Sequence, residues 1–172
     1  RLAVVALCLG DPEIAVAVHR DRPDPTQQTV FIHDVFPDWH ADLIQLAEIV
    51  DKTEDAALRA GMCLALGNLR AEQIGDAKGK WQALLTKWHL QAPASATHSA
   101  AAWALRKWNV TELPVIEPDT YDPLDRDWKV TAMGRKHGFT LIRLPADRFE
   151  RTDGITEQKV TLTDDVWLSD VE

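Results

Sequence analysis

The chain has 172 residues, enough for one domain or one and a half, and its 45% apolar and 27% charged content is ordinary for a globular fold. A formal net charge of −8 leaves no basic footprint for nucleic acid. No apolar run approaches the roughly 20 residues that span a bilayer, and the run 2–9 is short and lacks a small-residue cleavage site, so it does not read as a signal peptide.

The chain opens at Arg1 inside an apolar run and stops at Asp170-Val171-Glu172, directly after a strand-like stretch. An ordered element cut at its edge leaves backbone groups in need of partners. The expectation is therefore a piece of a longer polypeptide.

Along the first 110 residues apolar positions recur at helical spacing. The sets are Leu2, Val5, Ala6 and Leu9; then Leu43, Leu46, Ala47 and Val50; then Leu58, Met62, Leu66 and Leu69. Trp81, Leu84, Leu85 and Trp88 follow, and Ala101, Ala104, Leu105 and Trp108 close the series. A further helix is predicted over 26–36, before Pro37. Asp24-Pro25 reads as an N-cap followed by a first-turn proline. Asp38, Thr53 and Ser95 are the candidate caps of the later helices. Gly10 with Pro12, Pro37, Gly67 and the segment 75–79 are the stop signals.

The connections are short, which predicts antiparallel neighbours. A weak internal echo links the stretches that begin at Asp24, Glu54 and Ser95, each with a polar start and an apolar continuation, spaced by roughly 30 to 40 residues as in helical-pair repeats. The pattern resembles a short HEAT-type array, in which repeats bury a continuous core only by stacking.

Residues 109–127 contain Pro114, Pro118 and Pro123 with six acids and one base. That proline density ends the helical pattern and predicts an extended linker or a strap, in which Val115 or Ile116 packs against the last helix. After it the apolar period changes to 2. Trp128-Lys-Val-Thr-Ala-Met133, Phe139-Thr-Leu-Ile-Arg-Leu144, Gln158-Lys-Val-Thr-Leu-Thr163 and Val166-Trp-Leu168 read as short strands, and the turns between them predict antiparallel pairing. Four such strands form an incomplete sheet. The fold class is α+β: a helical HEAT-like array over 1–110, a Pro- and acid-rich linker over 111–127, and an incomplete antiparallel β region over 128–172.

Few residues point to chemistry. Cys8 and Cys63 are the only cysteines, lie in different helices and form no C-x-x-C, so they read as buried free thiols. The six histidines are scattered; His33 and His40 are separated by Pro37, and no set of three or four convergent metal ligands is visible. His98 starts a helix and reads as a packing or capping residue. The acids from Asp119 to Asp127 lack the pattern of a calcium loop and read as a solvated linker. Gly134-Arg-Lys-His-Gly138 lacks the Lys-Ser/Thr of a phosphate loop and reads as a hairpin turn. Of the seven tryptophans, Trp81, Trp88, Trp103 and Trp108 fall on helical apolar faces, while Trp39 and Trp128 are the candidates for exposed or interdomain contacts. No catalytic, cofactor-binding or metal-binding residue is assigned.

The stretch Phe139-Thr-Leu-Ile-Arg-Leu-Pro-Ala-Asp-Arg-Phe149, followed by Gln158-Lys-Val-Thr-Leu-Thr-Asp-Asp-Val-Trp-Leu-Ser-Asp-Val-Glu172, resembles the N-terminal part of a formylglycine-generating enzyme (sulfatase-modifying factor) domain. Upstream, His98-Ser-Ala-Ala-Ala-Trp-Ala-Leu-Arg-Lys-Trp108 resembles the end of helical repeats that precede such domains in large bacterial multidomain proteins. Asp147 stands where that family has Gly, and Arg151-Thr152 where it has Met-Gly in a turn. The resemblance implies a copper-dependent, oxygen-using oxidation of a cysteine in a sulfatase-type protein substrate, by a cysteine pair downstream of these strands. No residue of this chain matches that pair. The reading is a non-catalytic scaffold fragment whose partners are other domains of the same polypeptide. The alternative is a protein-interaction module with an inactive β domain.

Overall fold

The computed structural model describes the chain except residues 21–23, 40, 111, 134–136, 153–156 and 171–172, and except the side chains of 133, 137–138, 148–152 and 157–158. It divides into two compact units, Arg1–Val115 and Ile116–Glu172. The fold class is α+β: helices occupy the first unit and antiparallel strands the second.

The helical unit contains α1 (Leu2–Cys8), α2 (Glu13–His19), α3 (Thr26–Asp34), α4 (Leu43–Thr53), α5 (Ala56–Gly67), a 3-10 helix (Ala71–Ala77), α6 (Lys78–Gln91) and α7 (Ser95–Lys107). Carboxylates fix several starts by accepting from orphan N–H groups of the first turn. Asp24 accepts from the Thr26 N–H at 2.9 Å, but the N-cap of α3 is Pro25 and the helix begins at Thr26, so Asp24 lies one residue before the cap predicted for it. Asp42 accepts from Ile44 at 2.8 Å and Asp55 from Leu58 at 2.8 Å. These two aspartates replace the predicted caps Asp38 and Thr53. Asp38 instead faces Arg1, 3.3 Å away, and the Thr53 hydroxyl donates to the Ile49 carbonyl inside α4. Helix α7 starts from Ala94 without a side-chain cap, so Ser95 is its first residue and not its N-cap. Glu54 turns the chain between α4 and α5 with φ 56°, and Gly75, at φ 57°, breaks the 3-10 helix.

The contacts place the helices in two layers. Helix α1 touches α4, and α4 touches α6; alongside, α2 touches α5, and α5 packs extensively on α7. The pairs α1/α2, α4/α5 and α6/α7 join the layers, and α3 lies against α2 and α5. The stretch at Asp24, where the internal echo was expected to begin, lies in α3, outside these three pairs. Helix α3, which begins after Asp24, is the additional element. Helix α2 escaped prediction because its seven residues offer only Ile14, Val16 and Val18 besides alanines, too few to mark a helical face.

One continuous core runs through the unit. Leu46, Leu58, Met62, Leu66, Trp81, Leu85 and Leu105 are enclosed in it, and Trp88 is 2% exposed. Four of the five predicted apolar faces are the buried ones. On α1 the face is reversed: Ala3, Val4, Ala6 and Leu7 are buried, whereas Leu2, Val5 and Leu9 are 71%, 56% and 82% exposed. After α7 the Trp108 indole N–H donates to the carbonyls of Leu66 and Leu69, 3.1 Å each, and ties the end of α7 to the end of α5. Val110 and Leu113 continue the core contact. Val115 does not, being 86% exposed; it is two residues past the last side chain that reaches the core.

The second unit contains β1 (Trp128–Met133), β2 (His137–Leu144), β3 (Arg148–Thr152), β4 (Glu157–Thr161) and β5 (Val166–Ser169). One sheet has the order β1-β2-β5, with Trp128 opposite Ile142 and Ile142 opposite Leu168; β3 and β4 form a separate antiparallel pair with Phe149 opposite Val160. Strand β3 is where the family resemblance implies a turn, because backbone pairing with β4 extends 148–152 although only one of its residues is apolar. Of the predicted turn Gly134-Arg-Lys-His-Gly138, residues 134–136 lie outside the described ones, and His137 and Gly138 already belong to β2, opposite Met133 and Ala132.

The acid-rich segment is not a free linker. The Asp119 N–H donates to the Val130 carbonyl at 2.8 Å, and its carboxylate accepts from the Val130 N–H at 2.9 Å, so Asp119 pairs with the outer edge of β1. The Arg143 N–H donates to the Asp127 carbonyl at 2.7 Å. Buried edges of this kind are protected from pairing with other chains.

Candidate functional site

Cys8 is half-buried and Cys63 fully buried, both as free thiols. Burial pushes the Cys63 thiol far above its ordinary range, although Arg59 acts in the opposite direction, and a neutral thiol is neither nucleophile nor metal ligand. His33 is exposed near the end of α3, and His40 lies outside the described residues. Among the described residues no group of three or more His, Cys, Asp or Glu side chains converges as a metal site. The side chains present therefore do not fit the copper that the family resemblance implies, and no chemical step is derived through it.

Two carboxylates of the strap are paired with cations. Asp119 bonds Arg126 at 2.5 Å, and Asp122 bonds Lys129. Lys129 holds the Asp122 carboxyl below its ordinary value. Both cations also cover aromatic faces: the Arg126 guanidinium lies 4.1 Å from the Trp128 ring centroid and the Lys129 ammonium 4.2 Å from that of Trp167. Such stacking is an attraction to the ring quadrupole. A set of acid–base–aromatic triples with satisfied charges has little left to offer a cation.

Trp39 and Trp128 are not exposed. Trp128 is fully buried, and Trp39 is 7% exposed at the wall of a cleft of about 310 Å³. That cleft is lined by Phe36, Pro37, Trp39, Leu43, Leu69 and Ile74 and lies between the turn after α3 and the 3-10 helix. Its size reaches the lower end of small-molecule pockets, and its lining mixes these apolar side chains with polar surface, Gln73 included.

Three of the six histidines, His19, His89 and His98, are buried. His19 is 3% exposed. Its Nδ1–H donates to the Ala15 carbonyl at 2.8 Å, and its ring meets Phe31 edge-on at 4.8 Å. The Nε2 atom has no partner and rests on Gly61, where an added Cβ would lie 2.2 Å from it. Glycine is required there by close approach. Burial lowers the His19 basicity, against the pull of the Ala15 carbonyl and Asp55.

His89, near the end of α6, and His98, in α7, stack with centroids 4.8 Å apart and planes 20° from parallel. The His98 Nδ1–H donates to the His89 carbonyl at 2.5 Å, so His98 caps the last turn of α6 rather than its own helix. The packing or capping role read for His98 is thus both. His89 is 7% exposed and its Nδ1 has no hydrogen-bond partner. Burial first, then the charges of His98 and Arg106, lower its pKa from 6.5 to about 4. No sequence spacing announced this pair, because nine residues and a helix-breaking Pro93 separate its members.

No family model, curated protein or solved structure matches this chain.

Proposed function

We propose that the chain is a non-catalytic scaffold, a stacked helical-repeat unit that positions the opening strands of a formylglycine-generating-enzyme-like domain. The observation that carries this reading is the pairing of α1/α2, α4/α5 and α6/α7 in two layers. It is the architecture by which helical repeats present a long surface while each pair contacts only its neighbours. The β unit supports it from the other side. Among the described residues it buries only Trp128 and Val130 as hydrophobic side chains, less than a self-sufficient sheet needs. In the parent polypeptide, oxidation of a cysteine in a sulfatase-type substrate with copper and oxygen belongs to residues other than these.

The test is formylglycine formation in a sulfatase-type protein substrate and in a short peptide cut from it. This chain alone should convert neither. The parent polypeptide should convert both, and removing residues 1–115 from it should impair the protein substrate far more than the peptide. Conversion by this chain alone, or an identical loss on both substrates, overturns the scaffold role.

A second reading, a protein-interaction module with an inactive β domain, is favoured by the exposed α1 face of Leu2, Val5 and Leu9. Partner binding by a parent polypeptide that makes no formylglycine would put this reading in place of the first.

A further inference from the structure

We propose that the stacked His89–His98 pair is an acid-sensitive latch on the last helical hairpin, which holds α7 on α6 at neutral pH and releases it when His89 takes up a proton. The inference is independent of the scaffold reading and rests on the geometry of the pair.

Two features make the pair a latch. First, the His98 imidazole satisfies the His89 carbonyl, one of the last-turn carbonyls of α6 that have no partner within the helix. The bond crosses from α7 to α6, so it is kept only while the two helices stay together. Second, the rings lie face to face with both side chains buried, at 7% and 3% exposure. The His98 bond fixes a proton on its Nδ1. The His89 Nδ1 is buried with no hydrogen-bond partner, so a proton is better placed on Nε2 of the neutral ring and Nδ1 stays bare.

A proton arriving at that nitrogen creates an N–H without an acceptor and a charge without a counter-ion. The charges that act on the ring are those of His98 and Arg106 on α7, and both repel it, while a backbone hydrogen bond with His98 pulls the other way. Among the acids of neighbouring elements, Glu54 of the α4–α5 turn lines a pocket together with Arg59, Ala92, Pro93 and Thr97. On α4, Glu48 pairs with Lys80 and Asp51 with Lys87; the 3-10 helix carries Glu72 and Asp76. Arg59 of α5 lies over Trp88, the residue beside His89, and adds another positive charge to the region. The negative end of α6 favours a cation, but burial outweighs it. His19 provides the contrast within the same unit. It is equally buried, but Asp55 pulls its basicity upward, so acid should act at the α6/α7 hairpin before the α2/α5 contact.

The direction follows from proton linkage. His89 is depressed in the fold, so the open state binds more protons below its ordinary value of 6.5. The latch is closed above pH 6.5 and weakens as pH falls toward 4. With those two values the opening equilibrium rises roughly 30-fold between pH 7.5 and pH 5.

The experiment is amide hydrogen exchange on the full chain at pH 7 and pH 5, after correction for intrinsic rates, with NMR titration of the histidine ring protons. Amides of α7 and the Trp108 indole N–H should lose protection in acid before those of α4 and α5, and His89 should titrate well below 6.5. His89→Gln should flatten the pH dependence, whereas His19→Gln should leave it in place. Undiminished α7 protection at pH 5, or a wild-type His89 that titrates near 6.5, overturns the latch. Both readings come from the wild-type chain, so the result stands even where a variant fails to fold.

Discussion

The two units are held together by different physics. The helical unit encloses entire helix faces: Trp81, Trp88, Leu58, Leu66, Leu85 and Leu105 share one core, and burial of each is worth about 1.5 to 3 kcal/mol. In the β unit the described buried hydrophobics are Trp128 and Val130, and the order comes from backbone ladders, two acid–cation pairs and two cation–aromatic stacks. Removing a side chain from the first unit leaves a cavity. Removing one from the second leaves a charge or a ring open to water. The comparison teaches that the stability margin lies in the helices, while the order of the β unit rests on its surface pairs and ladders.

The largest effect should come from the helical core. Trp81→Ala should destabilise by about 3–5 kcal/mol, since close-packed neighbours fill such a cavity only in part. Denaturant unfolding followed by helical circular dichroism measures it. A loss below about 1 kcal/mol would mean that the core is loosely packed.

Next is the tie between α7 and α5. Trp108→Phe keeps the aromatic body but removes the donor shared by the Leu66 and Leu69 carbonyls. The expected loss is about 1–3 kcal/mol, because buried acceptors are left unsatisfied. A variant as stable as the wild type would show that water replaces the indole.

In the β unit, Arg126→Ala should cost about 1–2 kcal/mol, by uncovering Trp128 and releasing Asp119 together. Near-ultraviolet circular dichroism and tryptophan emission report it, and emission that does not shift would separate the guanidinium from the ring. The smallest effect belongs to the exposed Asp122–Lys129 pair. The Asp122 carboxyl lies below its ordinary value of 3.8, so its contribution is complete above that value and is lost as pH falls through the lower folded one. Asp122→Asn should abolish this acid-range response of the β unit and leave neutral-pH melting nearly unchanged, as surface pairs do.

How far the sequence carried differs between the units in the same physical terms. The switch from a 3.6-residue to a 2-residue period across Pro114, Pro118 and Pro123 was legible, because each period reports one buried face. The inward sets on α4 to α7 were legible for the same reason. The α1 face was not. Its residues are apolar almost all round, so periodicity had nothing to choose between and tertiary packing selected Val4 and Leu7. Caps were misplaced by a few residues, from Asp38 to Asp42 and from Thr53 to Asp55, since several capping-type side chains precede each helix and the path of the loop decides which one reaches an N–H. Strand β3 carries one apolar residue in five and exists by pairing with β4. The histidine pair was invisible because His89 and His98 meet only through the turn at Pro93. The order of helical unit, proline-rich strap and strands was readable, whereas nothing in residue spacing forecast a buried titratable contact.

The division between the units has one direct measurement: amide hydrogen exchange of the whole chain at pH 7, resolved by segment. Protection should be highest in α5, α6 and α7, approaching the global stability of the helical unit, and lower by orders of magnitude in β1 to β5. Equal protection in strands and helices would contradict the account, because it would mean that the β unit has a complete core of its own.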